Sequence, residues 1–330
     1  MIGSALRSAS LLSRLSEGVR GPVRHDELVA PHTSFNVGGP ADIWIEPIDL
    51  ADLAAAVRIL RQHDCPVTVL GNGTNCLVAD LGIRGAVVSL MRSFRDVTLD
   101  GEVVCAGSGV SMPLLSQQMA RAGLTGYEWA CGIPGSVGGS VVMNAGAHDG
   151  DTAGCLVEVQ EVSPDGLDGW TPAADLGFGY RRSNLRGEKR TEDVGGSAGS
   201  GPAGTTGRII TAARFRFHTD DPDRIRRRLQ EYREKRRASQ PDTSVCAGSI
   251  FKNPPGGSAG RLLEGLGAKR MRVGGAEVSE KHANFIVNSG GAQASDVRSL
   301  MRLLQEMARE KAGVCLESEV LMMGEWPSEE

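Results

Sequence analysis

Apolar residues along the chain alternate between a helical spacing of three to four and short continuous runs, a pattern of interleaved helices and strands. Leu50, Leu53, Val57 and Leu60 share one face behind Asp49, a good N-cap residue, and predict a helix. Val67–Leu70 follows as a short buried strand that runs directly into GNGTN (71–75). Val87–Leu90 and Val103–Ala106 read as further strands, and Ser111 with Pro113 opens a helix that stops at Gly123. RIITAARFRF (208–217) predicts a longer strand. From Asp221-Pro222 the pattern becomes a helix with Ile225, Leu229 and Tyr232 in line and Arg and Lys crowding its other faces, a solvated surface. Ser295 caps a final helix whose Val297, Leu300, Met301, Leu304 and Met307 form a core stripe. A domain boundary is expected near 218–222. Residues 187–207, Gly/Ser/Ala-rich and aperiodic, are expected to be a flexible insertion between two paired strands.

Composition narrows the class. The 330 residues allow two or three domains with their own cores. A net charge of −4 carries no basic footprint for nucleic acid. Glycine is heavy, 44 residues, with no collagen period, which points to tight turns and close backbone approaches. The seven cysteines show no CxxC and fit a reducing compartment. The six histidines lack an HxxxH pair, so no metal site is expected. No segment approaches the ~18 apolar residues of a membrane span. The first 21 residues are Arg- and Ser-rich without an acid before Glu17, as transit peptides are; we read residues 1–30 as a short amphipathic or frayed, flexible leader.

Several stretches offer chemistry, each with a plain alternative. GNGTN after a strand can form a backbone nest for a pyrophosphate, or simply turn; Cys76 stands where GxGxxG would need glycine, and no Walker pattern occurs. GIPGSVGGSVVMNAGAHDG (132–150) suits a backbone pressed against a large planar or phosphorylated ligand, or a glycine-rich helix start. GYRRSNL offers an arginine able to grip a carboxylate, or a surface pair. In LESEV (316–320), read as a strand, Glu317 and Glu319 share a face that points either inward or to solvent. GSIFKNP (248–254) sets one hydroxyl between a glycine and an apolar pair, followed by a cation and an amide.

Taken in order, HTSFNVGGPAD (32–42), LGNGTN (70–75), GIPGSVGGSVVMNAGA (132–147), GYRRS, QP (240–241), AGSIFKNP (247–254), GGAEVSEKHANFIVN (274–288) and GVCLESEV (313–320) resemble the UDP-N-acetylenolpyruvoylglucosamine reductases, the MurB family of peptidoglycan synthesis. The likeness covers roughly residues 31–324. It implies an α+β fold: an FAD-binding region of the vanillyl-alcohol-oxidase/p-cresol-methylhydroxylase (PCMH) type at 31–219, with subdomains at about 31–90 and 91–219, and a C-terminal α+β substrate domain at 220–330. It implies a cytoplasmic, monomeric enzyme with non-covalent FAD. NADPH and the UDP-sugar would use one site in turn, with no nucleic acid partner and no membrane insertion.

The resemblance also assigns residues. Ser249 falls on the family's proton donor, Arg181 on the arginine that meets the substrate carboxylate and the developing enolate, and Glu319 on the acid that polarises or reprotonates the site. Lys252 and Asn253 fall near the substrate's diphosphate and sugar, with Tyr180 and His282 as further substrate contacts. For FAD it implicates Gly71, Asn72, Gly73, Thr74 and Asn75, the loop Gly132, Ile133, Pro134, Gly135, Ser136, Gly138 and Gly139, and Ile210 beside the ring. Thr74 replaces the usual Ser, and no room exists between QP and GSIFKNP for the tyrosine-bearing loop of one subclass. Another FAD oxidoreductase of the same fold, or a non-catalytic flavin carrier, are the alternatives; neither has reason to keep GSIFKNP and LESEV together.

Overall fold

The computed structural model describes residues 2–186 and 207–327; the expected insertion therefore lies, except for Gly207, outside the described residues. The chain forms two compact units that differ from the division at 219/220 expected from sequence. The first comprises Met1–Glu27, Ala41–Asn72 and Arg84–Tyr232, the second Leu28–Pro40, Gly73–Ile83 and Arg233–Glu330.

In the first unit, strands β1 (Val23–Leu28), β2 (Pro40–Ile45), β3 (Val67–Val69) and β4 (Ile83–Val88) form a sheet in the order β1-β2-β4-β3. β3 and β4 are parallel, with Thr68 opposite Val87, and β4 begins four residues before the expected Val87. Helix α1 (Ile2–Gly18) and helix α2 (Leu50–Gln62) share one core with this sheet. Asp49 caps α2 as expected, its side chain accepting from the Asp52 N–H. Leu53, Ala56, Val57 and Leu60 are buried from α2, with Leu11 and Leu15 from α1. The leader is helical from Ile2, the amphipathic rather than the frayed of the two expected forms, and Leu11, Leu15 and Val19 repeat every four residues and find the α2 core to cover them.

The turn from α1 into β1 depends on one buried carboxylate. Asp52 accepts hydrogen bonds from the backbone N–H groups of Arg20 (2.7 Å), Gly21 (3.0 Å) and Ile48 (3.0 Å) while being only 2 % exposed. A charged acceptor satisfying three buried donors at once is among the stronger polar devices in a fold.

The first unit also holds an antiparallel sheet of β5 (Val97–Asp100), β6 (Val103–Gly107), β7 (Leu156–Val162), β8 (Asp168–Pro172) and β9 (Ile209–Arg216), in the order β8-β7-β9-β6-β5. Ala213 lies opposite Val159 on one side and Ala106 on the other, and β7 is bulged at Leu156/Glu158 and Gln160/Glu161. Helices α3 (Met112–Arg121) and α4 (Val137–Met143) pack with it through Leu115, Met119, Val137, Val141, Val159 and Phe215. Helix α5 (Pro222–Ser239) starts in this unit and buries Ile225 and Leu229, as its apolar line predicts.

The second unit is built around helices α6 (Ala259–Gly265) and α7 (Ala294–Ala312) and the antiparallel strands β10 (Arg272–Val273), β11 (Ala276–Val278) and β12 (Ile286–Asn288). A separate parallel pair joins Cys76–Val78 to Leu321–Met323. Its core takes Val297, Leu300, Met301 and Leu304 from α7 together with Phe35, Val37 and Leu77 from far upstream. The α7 cap is Gln293 in a capping box with Asp296, not Ser295. The shift has a cause: the Asp80 carboxylate accepts from the Ala294 (2.7 Å) and Ser295 (2.9 Å) N–H groups, drawing both into the first turn.

We expect Asp52→Ala to lower unfolding stability by roughly 2–4 kcal/mol by orphaning buried N–H groups. Urea unfolding checks this, and a midpoint equal to wild type would mean the carboxylate contributes nothing to the α1–β1 turn.

Candidate active site

The first unit brings together Gly71, Asn72 and the 132–139 loop. The Asn72 side-chain amide donates to the Pro134 carbonyl at 2.6 Å. Ser136 caps α4 by accepting from the Gly139 N–H (3.2 Å), and a Cβ added at Gly71 would meet its Oγ at 2.7 Å. The loop is tied down by its own backbone: Met112 N–H to Gly135 O, Val137 N–H to Val110 O and Gly138 N–H to Ser108 O, at 2.9–3.0 Å. A Cβ at Gly138 would lie 2.9 Å from the Ser108 Cβ, so the loop passes this strand end only as glycine. Beside it the Ser108 hydroxyl is buried without a hydrogen-bond partner among the described residues, and Ile210 is buried on β9. Bare backbone and one unclaimed hydroxyl fit the edge of a flat, phosphorylated cofactor such as FAD. Ser108 was not evident from sequence, since a serine after a strand carries no signal of its own.

Tyr180 and Arg181 also lie in this unit, at the tip of a turn closed by reciprocal backbone bonds between Gly179 and Arg182 (3.0 and 3.1 Å). Arg181 takes φ +55°, a conformation that costs an ordinary side chain. Its guanidinium donates to the carbonyls of Gly146 (2.6 Å) and Asn144 (3.5 Å), and lies 5.2 Å from the centroid of the exposed Tyr180 ring.

The second unit holds Gly73, Thr74, Asn75, Ser249, Lys252, Asn253, His282 and Glu319. Gly73 sits at φ +60°, where a Cβ would strike the His32 carbonyl at 2.0 Å. GSIFKNP and LESEV run side by side, though the latter makes only one strand-like bridge, Phe251 to Ser318, rather than a full strand. The Glu319 N–H donates to Ile250 O (2.8 Å) and the Lys252 N–H to Glu317 O (2.9 Å). On its other side Glu319 offers its carbonyl to the Asn75 amide (3.1 Å), while the Leu321 N–H donates to Asn75 O (3.0 Å). Ser249, half-buried, thus precedes a residue whose backbone is bonded to that of Glu319, and Glu319 in turn is bonded to the end of GNGTN.

The remaining candidates have partners inside the unit. Lys252 Nζ pairs with Glu317 (3.2 Å), which is exposed, while Glu319 is half-buried; the two acids do not share an environment. The Asn253 side-chain Oδ1 accepts from the Ala259 N–H (3.1 Å) at the first turn of α6, which Ser258 caps. Sequence reasoning missed Asn284. It is 3 % exposed, and its side chain accepts from the Phe251 N–H (3.0 Å) and donates to the Phe251 carbonyl (2.8 Å), while its own carbonyl accepts from Ile250 N–H (2.9 Å). One asparagine therefore does for Ile250–Phe251 what a neighbouring strand would do. The polar pair inside HANF was the available signal.

His282 supports that brace: its Nδ1 accepts from the Asn284 N–H at 3.1 Å, and its ring meets Phe285 edge-on at 4.9 Å. Burial is the main force lowering its pKa, partly countered by Glu264. Gly260 leaves space for the ring, since a Cβ there would lie 2.5 Å from Cε1. Among the described residues no group of His, Cys, Asp and Glu could hold a metal ion.

Neutral His282 is the form that accepts the Asn284 N–H. The unfolded imidazole titrates near pH ~6.5, so below that value the unfolded chain takes up a proton that the folded chain resists. Its contribution is complete above that range and is lost as pH falls through it. We expect wild type to lose more stability between about pH 7.5 and 5.5 than His282→Gln does. Urea unfolding at both pH values measures the difference, and equal losses would clear His282 as the source.

Residues 41–167 match the FAD binding domain family, and residues 240–323 match the C-terminal domain of UDP-N-acetylenolpyruvoylglucosamine reductase. The reductase of Rubrobacter xylanophilus is 42% identical over 302 residues, covering 92% of this chain and 95% of that protein. That of Geobacter metallireducens is 42% identical over 315 residues, covering 96% and 98%. The crystal structure of the reductase (MurB) from Thermus caldophilus aligns with a TM-score of 0.75 at 37% identity, covering 93% of this chain and 99% of that one. The fold is the expected α+β FAD-binding PCMH type. No helix among the described residues is long and apolar enough to cross a membrane. The chain belongs to the UDP-N-acetylenolpyruvoylglucosamine reductase family, the MurB enzymes.

Proposed function

We propose that this protein reduces the enolpyruvyl ether of UDP-N-acetylglucosamine to the lactyl ether in peptidoglycan precursor synthesis, as a monomeric cytoplasmic enzyme with NADPH as electron source. Residues 31–219 serve FAD and 220–330 serve the UDP-sugar. The observation that carries the reading is near-complete coverage by relatives named for this reaction, 92% and 96% of the chain. FAD, when bound, supplies the two-electron relay that takes hydride from the nicotinamide and passes it to the enolpyruvyl group, with both partners using one site in turn.

The protein's own task is to manage charge and protons. Hydride arriving at the terminal enolpyruvyl carbon leaves an electron pair on the adjacent carbon, delocalised into its carboxylate. Arg181 binds that carboxylate and lowers the energy of the enolate-like state, the kind of contact that counts only as charge develops. Ser249 delivers its hydroxyl proton to the adjacent carbon, completing the addition of hydride and proton across the double bond. A hydroxyl is a weak acid, so its position must be fixed before the reaction. The Asn284 brace on Ile250–Phe251 and the Glu319 N–H on Ile250 O support this assignment by restraining the residues that follow Ser249. Glu319 polarises the hydroxyl and returns the proton. Lys252, Asn253, Tyr180 and His282 are assigned to the substrate. Lys252 then exchanges its exposed Glu317 partner for the diphosphate, a small sacrifice because exposed pairs contribute little.

Ser249→Ala should leave flavin reduction by NADPH intact and slow reoxidation by the enolpyruvyl substrate by about 10²–10⁴. Stopped-flow absorbance separates the two steps, and near-normal reoxidation would transfer the donor role to Glu319 or water. Recorded without oxygen, the flavin band of the wild-type protein should bleach with NADPH and return with the enolpyruvyl sugar. Bleaching without recovery would point to a different oxidant.

A further inference from the structure

We propose that Asn144 is a positioning residue that aims Arg181, an inference that rests on the role given to Arg181 above. Asn144 closes helix α4 in the left-handed conformation, φ +43° and ψ 57°, and is 3 % exposed. Its side chain makes three bonds to two different segments, 151–153 and the turn at Gly179. Nδ2 donates to the Gly179 carbonyl (3.0 Å) and to the Asp151 carboxylate (3.1 Å), and Oδ1 accepts from the Ala153 N–H (3.0 Å). Its main-chain carbonyl faces Arg181 Nη1 at 3.5 Å, and the Gly146 carbonyl two residues on takes Nη2 at 2.6 Å.

The geometry exceeds what closing a seven-residue helix requires. A glycine or a solvated asparagine would close α4 equally well. Here the side chain is buried and spent on the first residue of the turn that carries Tyr180 and Arg181, while the backbone on either side of Ala145 receives the guanidinium. Four non-glycine residues at positive φ gather in these segments: Asn144 (+43°), His148 (+51°), Asp149 (+64°) and Arg181 (+55°). Asn, Asp and His enter this region more readily than other side chains, so Arg181 is the one held against its preference, and such an outlier persists where surrounding bonds over-determine it. Gly146 adds the same point from the other side, because a Cβ there would meet Gly150 O at 2.5 Å. The hairpin of Gly146–Ala147 and Gly150–Asp151 therefore keeps a fixed pair of carbonyls for one guanidinium, and Asn144 fixes both the hairpin's entry and the turn that carries the arginine. The guanidinium cannot swing away without giving up the Gly146 and Asn144 carbonyls, so the side chain is oriented before any carboxylate arrives.

Asn144→Gly removes the three side-chain bonds while permitting the same backbone conformation. Asn144→Asp keeps an acceptor for Ala153 but replaces the amide donor with an oxygen facing the Gly179 carbonyl and the Asp151 carboxylate; it serves as the second variant should the glycine variant fold poorly. Either is expected to slow flavin reoxidation by the enolpyruvyl sugar 10–100-fold, the scale of an ångström-level misplacement, while NADPH reduction changes less than about threefold. A purely structural role would slow both steps alike. The decisive measurement is the cycle with Arg181→Ala: added to that background, Asn144→Gly should cost less than about twofold. Losses that multiply, or that fall equally on both half-reactions, overturn the proposal. An Arg181→Ala variant that is reoxidised at the wild-type rate would instead remove the role of Arg181 itself, and with it the basis of the clamp.

Discussion

Irregular backbone sealed from water must find hydrogen-bond partners, and in this chain short polar side chains supply them. Asp52 collects three N–H groups at the α1–β1 turn, Asn144 joins the end of α4 to the Arg181 turn, and Asn284 satisfies both groups of Phe251. Each is under 4 % exposed. Without them the loops that carry the candidate site would have to become regular strands or open to solvent. Regular strands would point the wrong side chains inward, and open loops would lose the fixed positions that proton and hydride transfer demand. The stability of the loops and the chemistry assigned to them therefore rest on the same few bonds.

The glycines perform the complementary task. Gly71 and Gly138 leave out a side chain where one would strike Ser136 or Ser108, and Gly73 adopts a positive φ beside the His32 carbonyl. In the first unit, what remains beside Gly71 and Gly138 is main-chain surface, of the kind that suits a ligand recognised by shape and phosphate charge.

Long apolar stripes were readable in the sequence. The helices at 50–62, 112–121, 222–239 and 294–312 follow directly from spacing, as do the strands at 67–69 and 103–107. Where sequence reading erred, a distant partner had intervened. Asp80 moved the α7 cap from Ser295 to Gln293, and α1 became part of a core because α2 covers its stripe. Motif order gave the candidate residues, but not Asn144 or Asn284, whose importance lies in bonds to Gly179 and Phe251, far away in sequence. The two acids of LESEV looked equivalent on a strand; a single bridge at Ser318 and the Lys252 pair give them different surroundings.

The second unit is assembled from three pieces of chain, and this has a bearing on how the protein is made. Its core takes Phe35, Val37 and Leu77, and its parallel strand pair unites Cys76–Val78 with Leu321–Met323. Asn75 and Glu319, bonded to one another, are separated by 244 residues. On the ribosome, the upstream pieces emerge long before their partners exist, so the strand at Cys76–Val78 must wait for its partner until Leu321–Met323 has been made. Folding in this unit is consequently a late, largely post-translational event governed by slow, distant contacts. A fragment beginning at residue 233 would lack part of its own interior, however faithfully its sequence matched the family.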